Sequence, residues 1–180
     1  MKLLVIVDMQ NDFIDGSLGS DAAKAIVPNV VKKIEESIKN GDRIVVTQDT
    51  HYSDYLSTLE GKKLPVVHCV ANSDGWQIND SVYETIRNYN KVKYINKSTF
   101  GSYALKNYVD SLMEIYEENL VIDIVGLVLD ICVLSNAMIL KTYFPEATIN
   151  VYLSCTAATS NKAYNATKLV LNSCHINTYE

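Results

Sequence analysis

Apolar runs of strand length alternate with stretches of helical period along the whole chain. Lys2-Leu3-Leu4-Val5-Ile6-Val7 is apolar at every position after the first, as a strand covered on both faces must be. Ala23 to Lys39 then places Ile26, Val30, Val31, Ile34 and Ile38 on one helical stripe that closes at Asn40-Gly41. Pro28 falls early in that stripe, where a first helical turn tolerates proline. Arg43 to Gln48 reads as a second buried strand, Val82 to Tyr89 as a short helix and Val92 to Ile95 as a third strand. A second helical stripe, Ser102 to Glu117, runs through Leu105, Tyr108, Val109, Leu112 and Ile115. Strand Leu120 to Val125, helix Cys132 to Tyr143, strand Ala147 to Leu153, helix Asn161 to Asn172 and strand His175 to Thr178 complete the pattern. This alternation predicts an α/β fold: a doubly wound, mainly parallel six-stranded sheet with helices on both faces, in Rossmann-type layers.

With 180 residues and no break in composition, the chain fits a single domain, 1–180, that removes roughly 70% of its extended-chain surface from water. The net charge of -5 has no basic block behind it, which argues against a nucleic-acid partner. The opening apolar segment is interrupted at Asp8, too soon for a signal peptide, and no later run approaches membrane-spanning length. A soluble, cytoplasmic protein with no membrane partner is expected. Cys69, Cys132, Cys155 and Cys174 lie at long irregular spacings, which suits reduced thiols better than a disulfide framework or a zinc knuckle.

Three strand ends carry chemistry. The first strand opens into Asp8, the Val92–Ile95 strand delivers Lys97, and the apolar run Gly126-Leu127-Val128-Leu129-Asp130-Ile131-Cys132-Val133 joins a strand to a helix through a short turn. In an open parallel sheet the C-terminal strand ends converge on one crevice, so Asp8, Lys97 and Cys132 are expected to meet. A thiol at a helix N-terminus faces unpaired N–H groups that favour the thiolate, so Cys132 reads as a nucleophile. Singly, each signal has a plainer reading: Cys132 a buried helix-start cysteine, Asp8 a turn cap, Lys97 a surface charge. Asp12 reads as turn chemistry, and His175, Cys155 and Cys174 as packing residues.

The stretch Asp49 to Asp80, about thirty residues without strong periodicity, is long enough to suggest function. Asp49 and His51 are two apart, so in extended chain both point to one face. Glu60 and His68 could close a site from the returning loop. Two imidazoles with carboxylate oxygen suit Zn²⁺, Fe²⁺ or Mn²⁺. The pair alone fits a surface loop as well, with Glu60 a solvated carboxylate and His68 a core histidine bonded to a backbone carbonyl. Cys69, next to His68, reads as a small buried apolar residue.

Taken together, Val5-Ile6-Val7-Asp8-Met9-Gln10-Asn11-Asp12-Phe13, Thr47-Gln48-Asp49-Thr50-His51, Lys97 with Phe100, and Gly126 to Val133 resemble the isochorismatase-like cysteine hydrolase family over nearly the whole chain. The resemblance implies a catalytic triad of Asp8, Lys97 and Cys132. It also implies a cis Leu127-Val128 peptide, with an oxyanion hole at the Val128 and Cys132 N–H groups. Within the family, the Asp-x-His set is typical of nicotinamidases, which maps a divalent metal, zinc before iron or manganese, onto Asp49, His51, Glu60 and His68. Phe13 and Trp76 match places where those enzymes wall a flat ring, although Trp76 fits the core equally.

The chain departs from that pattern at Val128 and Leu129, where smaller or polar residues are usual, and at Glu60, a minority choice. The implied activity is hydrolysis of nicotinamide to nicotinate and ammonia through a thioester on the cysteine. Another small-amide or carbamoyl hydrolase of the same family is the alternative, and a non-catalytic flavodoxin-like signalling or binding domain is a distant one. The expected partner is a small amide, and the family's tendency leaves a homo-oligomer open.

Overall fold

Six strands form one sheet in the order β3-β2-β1-β4-β5-β6, in a computed structural model that describes residues 1–115 and 119–180. The strands are β1 (Lys2–Val7), β2 (Arg43–Asp49), β3 (Val92–Lys97), β4 (Val121–Leu127), β5 (Thr148–Ala157) and β6 (Asn177–Tyr179). Every neighbouring pair is parallel. The chain winds outward from β1 through β2 to β3 and then returns to β4, so the direction reverses beside β1. Crevices form at such a reversal, beyond the carboxyl ends of the strands.

Helices cover both faces, as the pattern predicted. On one side Leu4, Ile6, Ile44 and Val46 meet Ile26, Val30 and Ile34 of α2 (Asp21–Asn40) and Val82 and Ile86 of α4 (Asp80–Ile86). On the other, Leu3, Val5, Val7 and Val45 meet α5 (Tyr103–Ile115), α6 (Leu134–Tyr143) and Leu171 of α7 (Asn161–Ser173). Each fully buried aliphatic chain contributes about 1.5–3 kcal/mol, so these two layers hold the sheet rigid beneath its loops. No described helix is long and apolar enough to cross a membrane.

Element ends differ from expectation where caps decide them. The Ser20 side chain accepts from Ala23 N, which starts α2 at Asp21 and moves Pro28 to the eighth helical position. Pro28 lies on the exposed face, so the Lys24 carbonyl it leaves without a helical donor faces solvent. Asn79 caps α4 in the same way. The predicted extension of α5 to Glu117 falls outside the described residues. His175 is exposed at a left-handed turn position after α7 instead of packed on the last strand. It lies in the turn required before β6, and the residue that packs inward is Ile176. The long loop holds a 3₁₀ turn (Tyr55–Ser57) and the short helix α3 (Leu59–Lys63), capped by Thr58.

Gly126 fixes how closely β1 and β4 approach below the crevice. Its φ is +114°, and a Cβ there would lie 2.1 Å from the Val7 carbonyl oxygen, at the residue before Asp8. The register of β4 on β5 also shifts between Ile124 and Gly126, as a bulge next to a site does. Gly126→Ala is expected to cost about 3 kcal/mol, from left-handed strain plus overpacking. Urea unfolding would read this, and a change below about 0.5 kcal/mol would mean that the strands part freely.

Candidate active site

Alternation along β2 builds the floor of the site. Thr47 and Asp49 share the face of Val45, which is the face covered by α6, and register sets Asp49 beside Lys97 of β3. Period two therefore turns an apolar strand into a polar one at its last residues without changing sides. Asp8, just past β1 at a φ of +47°, is completely buried. Its Oδ1 accepts from Thr47 Oγ1 at 2.7 Å and its Oδ2 takes the Lys97 ammonium at 2.7 Å.

Lys97, itself only 6% exposed, also reaches Asp49 Oδ1 at 3.4 Å and Cys132 Sγ at 3.5 Å. The three strand-end residues expected to meet are thus joined through one ammonium. The alternatives of a surface lysine and a simple turn-capping aspartate do not describe these positions.

Cys132 lies in a single π-helical turn, Leu129–Val133, that leads into α6. Such insertions are frequent at functional sites. The preceding Leu127-Val128 peptide is cis, as the resemblance implied. Leu129 points into the core and so does not line the site, whereas Val128 is half-buried.

Burial pushes the Cys132 thiol well above its ordinary range, the Asp8 carboxylate adds to this, and the Lys97 ammonium only partly opposes it. The helix start, expected to favour the thiolate, acts here against burial and the Asp8 charge. Desolvation, the largest contribution, penalises the thiolate. Burial likewise raises Asp8 despite Lys97, making it a stronger base than an ordinary carboxylate. Burial disfavours charge on Lys97, but Asp8, Cys132 and Asp49 together raise it and hold it protonated.

A second cluster adjoins the first through Asp49. Asp49 Oδ2 lies 3.0 Å from His51 Nε2 and 3.5 Å from His68 Nε2. Candidate ligand atoms of these three buried residues all lie within 4.8 Å of one another. Backbone pairing brings His68 in: His51 N donates to Cys69 O, Ala71 N donates to His51 O, and Cys69 N donates to Asp12 Oδ2 at 2.7 Å. Asp12 also accepts from Ser17 N in its own turn, as expected, and beyond that it tethers a loop 57 residues away.

His68 Nδ1 is 2.8 Å from Val66 O. A donor Nδ1–H there turns Nε2 toward Asp49, where it can hydrogen-bond the carboxylate when protonated and would be the ligand atom when neutral. Burial opposes charge on Asp49, yet hydrogen bonds from His51 and His68 and the Lys97 ammonium hold its carboxyl below the usual range. Two imidazoles and a carboxylate, buried and converging, fit a divalent cation. Glu60 stands at the rim on α3, 3.8 Å from His51 Nε2 and outside the three-residue group.

Phe13 packs against this cluster, and the half-buried Trp76 is tied to Thr50 beside His51. Phe13 lies 5.6 Å from the His68 ring, and Trp76 Nε1 donates to Thr50 Oγ1 at 2.9 Å while its carbonyl accepts from Gln10 and Gln48. Sequence reasoning missed Tyr55, which is buried against both imidazoles at 4.6 and 5.0 Å. It also missed Thr47 and Asn136. Thr47 was accessible from period two on the Asp49 face, and Asn136 as a lone amide four residues after Cys132 in an apolar helix. Tyr55 gave no such signal.

Likeness to known proteins extends over nearly the whole chain. A family model described as Isochorismatase domain matches residues 2–173. A nicotinamidase of Saccharomyces cerevisiae is 28% identical over 184 residues, covering 77% of this chain and 80% of that protein. The fold is that of nicotinamidase/pyrazinamidase from Bacillus subtilis, with a TM-score of 0.86 at 22% identity and 99% of each chain covered. It is also that of the pyrazinamidase of Pyrococcus horikoshii in complex with zinc, with a TM-score of 0.82 at 18% identity, covering 99% of this chain and 98% of that one.

Proposed function

The chain belongs to the isochorismatase domain family, and on that premise we propose that it is a metal-dependent cysteine amidohydrolase converting nicotinamide and water to nicotinate and ammonia. One observation carries the chemistry: a single buried ammonium, that of Lys97, contacts the Asp8 carboxylate at 2.7 Å and the Cys132 sulfur at 3.5 Å. The substrate class rests on the adjoining Asp49, His51 and His68 cluster. It is supported by likeness to the yeast nicotinamidase and to a pyrazinamidase described with zinc.

In this reading Cys132 Sγ attacks the carboxamide carbon as its proton passes to Asp8, so the thiol need not be ionised beforehand. The raised basicity of Asp8 suits that transfer, because proton transfer is most efficient when donor and acceptor are matched. The backbone N–H groups of Val128 and Cys132 hold the oxyanion. Asp8 then returns the proton to the departing nitrogen, ammonia leaves, and a thioester remains.

Water attacks that thioester while Asp8 takes its proton, and the proton goes back to the sulfur as nicotinate departs. Lys97 stays protonated throughout and steadies whichever of Asp8 and Cys132 is the anion. Asp49, His51 and His68, with Glu60 at the edge, would hold a divalent cation, zinc first among the candidates, whose chemistry there would be that of a Lewis acid toward a ring nitrogen of the substrate. Phe13 and Trp76 would flank that ring.

The test is ammonia release from a panel of small amides, nicotinamide and carbamoyl compounds included, with metal analysis of the same sample. Nicotinamide is expected to be turned over fastest, and removing the metal to lower kcat/KM about 100-fold through lost positioning. Full turnover by verified metal-free protein would reject the metal's role, and preference for a carbamoyl compound would reject the substrate.

A further inference from the structure

We infer that Asn136 is a positioning residue that sets the distance between the Lys97 ammonium and the Cys132 sulfur; this rests on the reading of Cys132 as nucleophile. The two groups arrive from opposite sides of the chain reversal. Lys97 ends β3, whereas Cys132 stands five residues beyond the end of β4, so sheet register does not fix their separation. Something outside the sheet must.

The Asn136 side chain makes that connection. It lies on α6, one turn after Cys132, and is completely buried. Its Nδ2 donates to the Cys132 carbonyl at 2.8 Å and to the Phe100 carbonyl at 3.3 Å, and its Oδ1 accepts from Ser102 N at 3.0 Å. One amide therefore ties the backbone of the thiol residue to the loop that follows Lys97.

That loop also runs beside α6. A Cβ at Gly101 would lie 2.4 Å from Ile139 Cδ1 and 3.4 Å from Ser135. Ser102 Oγ in turn accepts from Leu105 N at the start of α5, so the clamp fixes the helix start as well. Asparagine is a poor choice for a helix interior, because its side chain competes for backbone groups. Here that competition is the use: all three bonds go to the two segments that carry the reacting groups, and none goes to substrate.

The experiment compares kcat and KM of Asn136→Ala, Asn136→Thr and Gly101→Ala, using the amide that wild type turns over fastest, well below each variant's unfolding temperature. Asn136→Ala is expected to lower kcat about 30-fold with KM within about threefold, since a displacement on the order of 1 Å is that costly to a reacting pair. In Asn136→Thr a hydroxyl can still donate to the carbonyl four residues back, and about a third of the lost rate on a logarithmic scale should return. Gly101→Ala, whose Cβ would meet only the end of the half-buried Ile139 side chain, which can turn aside, should keep kcat within about threefold, and a drop as large as that of Asn136→Ala would overturn the assignment to the amide.

Wild-type kcat in Asn136→Ala, or a rise in KM alone, overturns the inference. Should that variant not fold, wild-type kcat in Asn136→Thr does so. Failure of the nucleophile reading itself would show separately, as ammonia release by Cys132→Ala.

Discussion

Cys132→Ala is expected to lower ammonia release from nicotinamide about 10⁴-fold, to the level of the assay blank, while the protein folds as before. The proposed route has no second nucleophile: the other described thiols are remote in role, and Cys69, the one nearest in sequence to the metal cluster, is buried with its pKa pushed upward by desolvation. Loss of a covalent nucleophile removes the whole two-step path, leaving only binding and oxyanion contacts to assist water. Folding should be spared because alanine removes one sulfur, and the Lys97 ammonium keeps Asp8 at 2.7 Å. Cys132→Ser should be almost as inactive, since Asp8 would have to deprotonate a far weaker acid. Ammonia release by Cys132→Ala above about a tenth of wild type would end the thioester mechanism.

Asp8→Asn should fail twice, once in rate and once in stability. Its shape is conserved, so the rate effect isolates proton transfer, expected at about 10²–10⁴-fold in kcat. The stability effect comes from Lys97, which is left deep in the protein with only Asp49 Oδ1 at 3.4 Å as a counter-charge. Breaking a buried pair by removing one partner costs about 3–5 kcal/mol, and the remaining Asp49 contact places the expectation near the lower end.

The double variant Asp8→Asn with Lys97→Met separates the two effects. Removing the stranded ammonium should restore most of the lost unfolding free energy in denaturant titration, and none of the activity. Recovery of activity in the double variant, or a single Asp8→Asn enzyme within about fivefold of wild type, would show that Asp8 is not the base.

Particular residues show how far the chain could be read before it was seen folded. The buried strands were legible as continuous apolar runs, β1 at both its ends and β2 and β4 to within one or two residues. Asp49 and His51 were legible as a pair because two-residue alternation is a property of extended backbone. His68 was a candidate only by chemistry, since its arrival depends on a backbone bridge between His51 and residues 69–71. Glu60 had the right chemistry and stands at the rim, because α3 carries it on a partly exposed turn. His175 looked like a packing residue and is exposed, because the turn into β6 buries Ile176 instead.

What the amino-acid order determined by itself was the layered parallel architecture and the identity of the groups delivered to the strand ends: Asp8, Lys97, Cys132 and the Asp49–His51 pair. Those follow from periodicity and from the few residues on either side, which the chain specifies locally. Folding decided the rest. It made Lys97 the shared partner of three groups, doubled Asp49 as partner to both clusters, wedged Tyr55 against two imidazoles, and drew Asn136 between two reacting segments. It also decided which way the thiol pKa moves: burial and the Asp8 charge raise it against the pull of Lys97. Burial and through-space charge are sums over neighbours far apart in the chain, and only the packed structure fixes them.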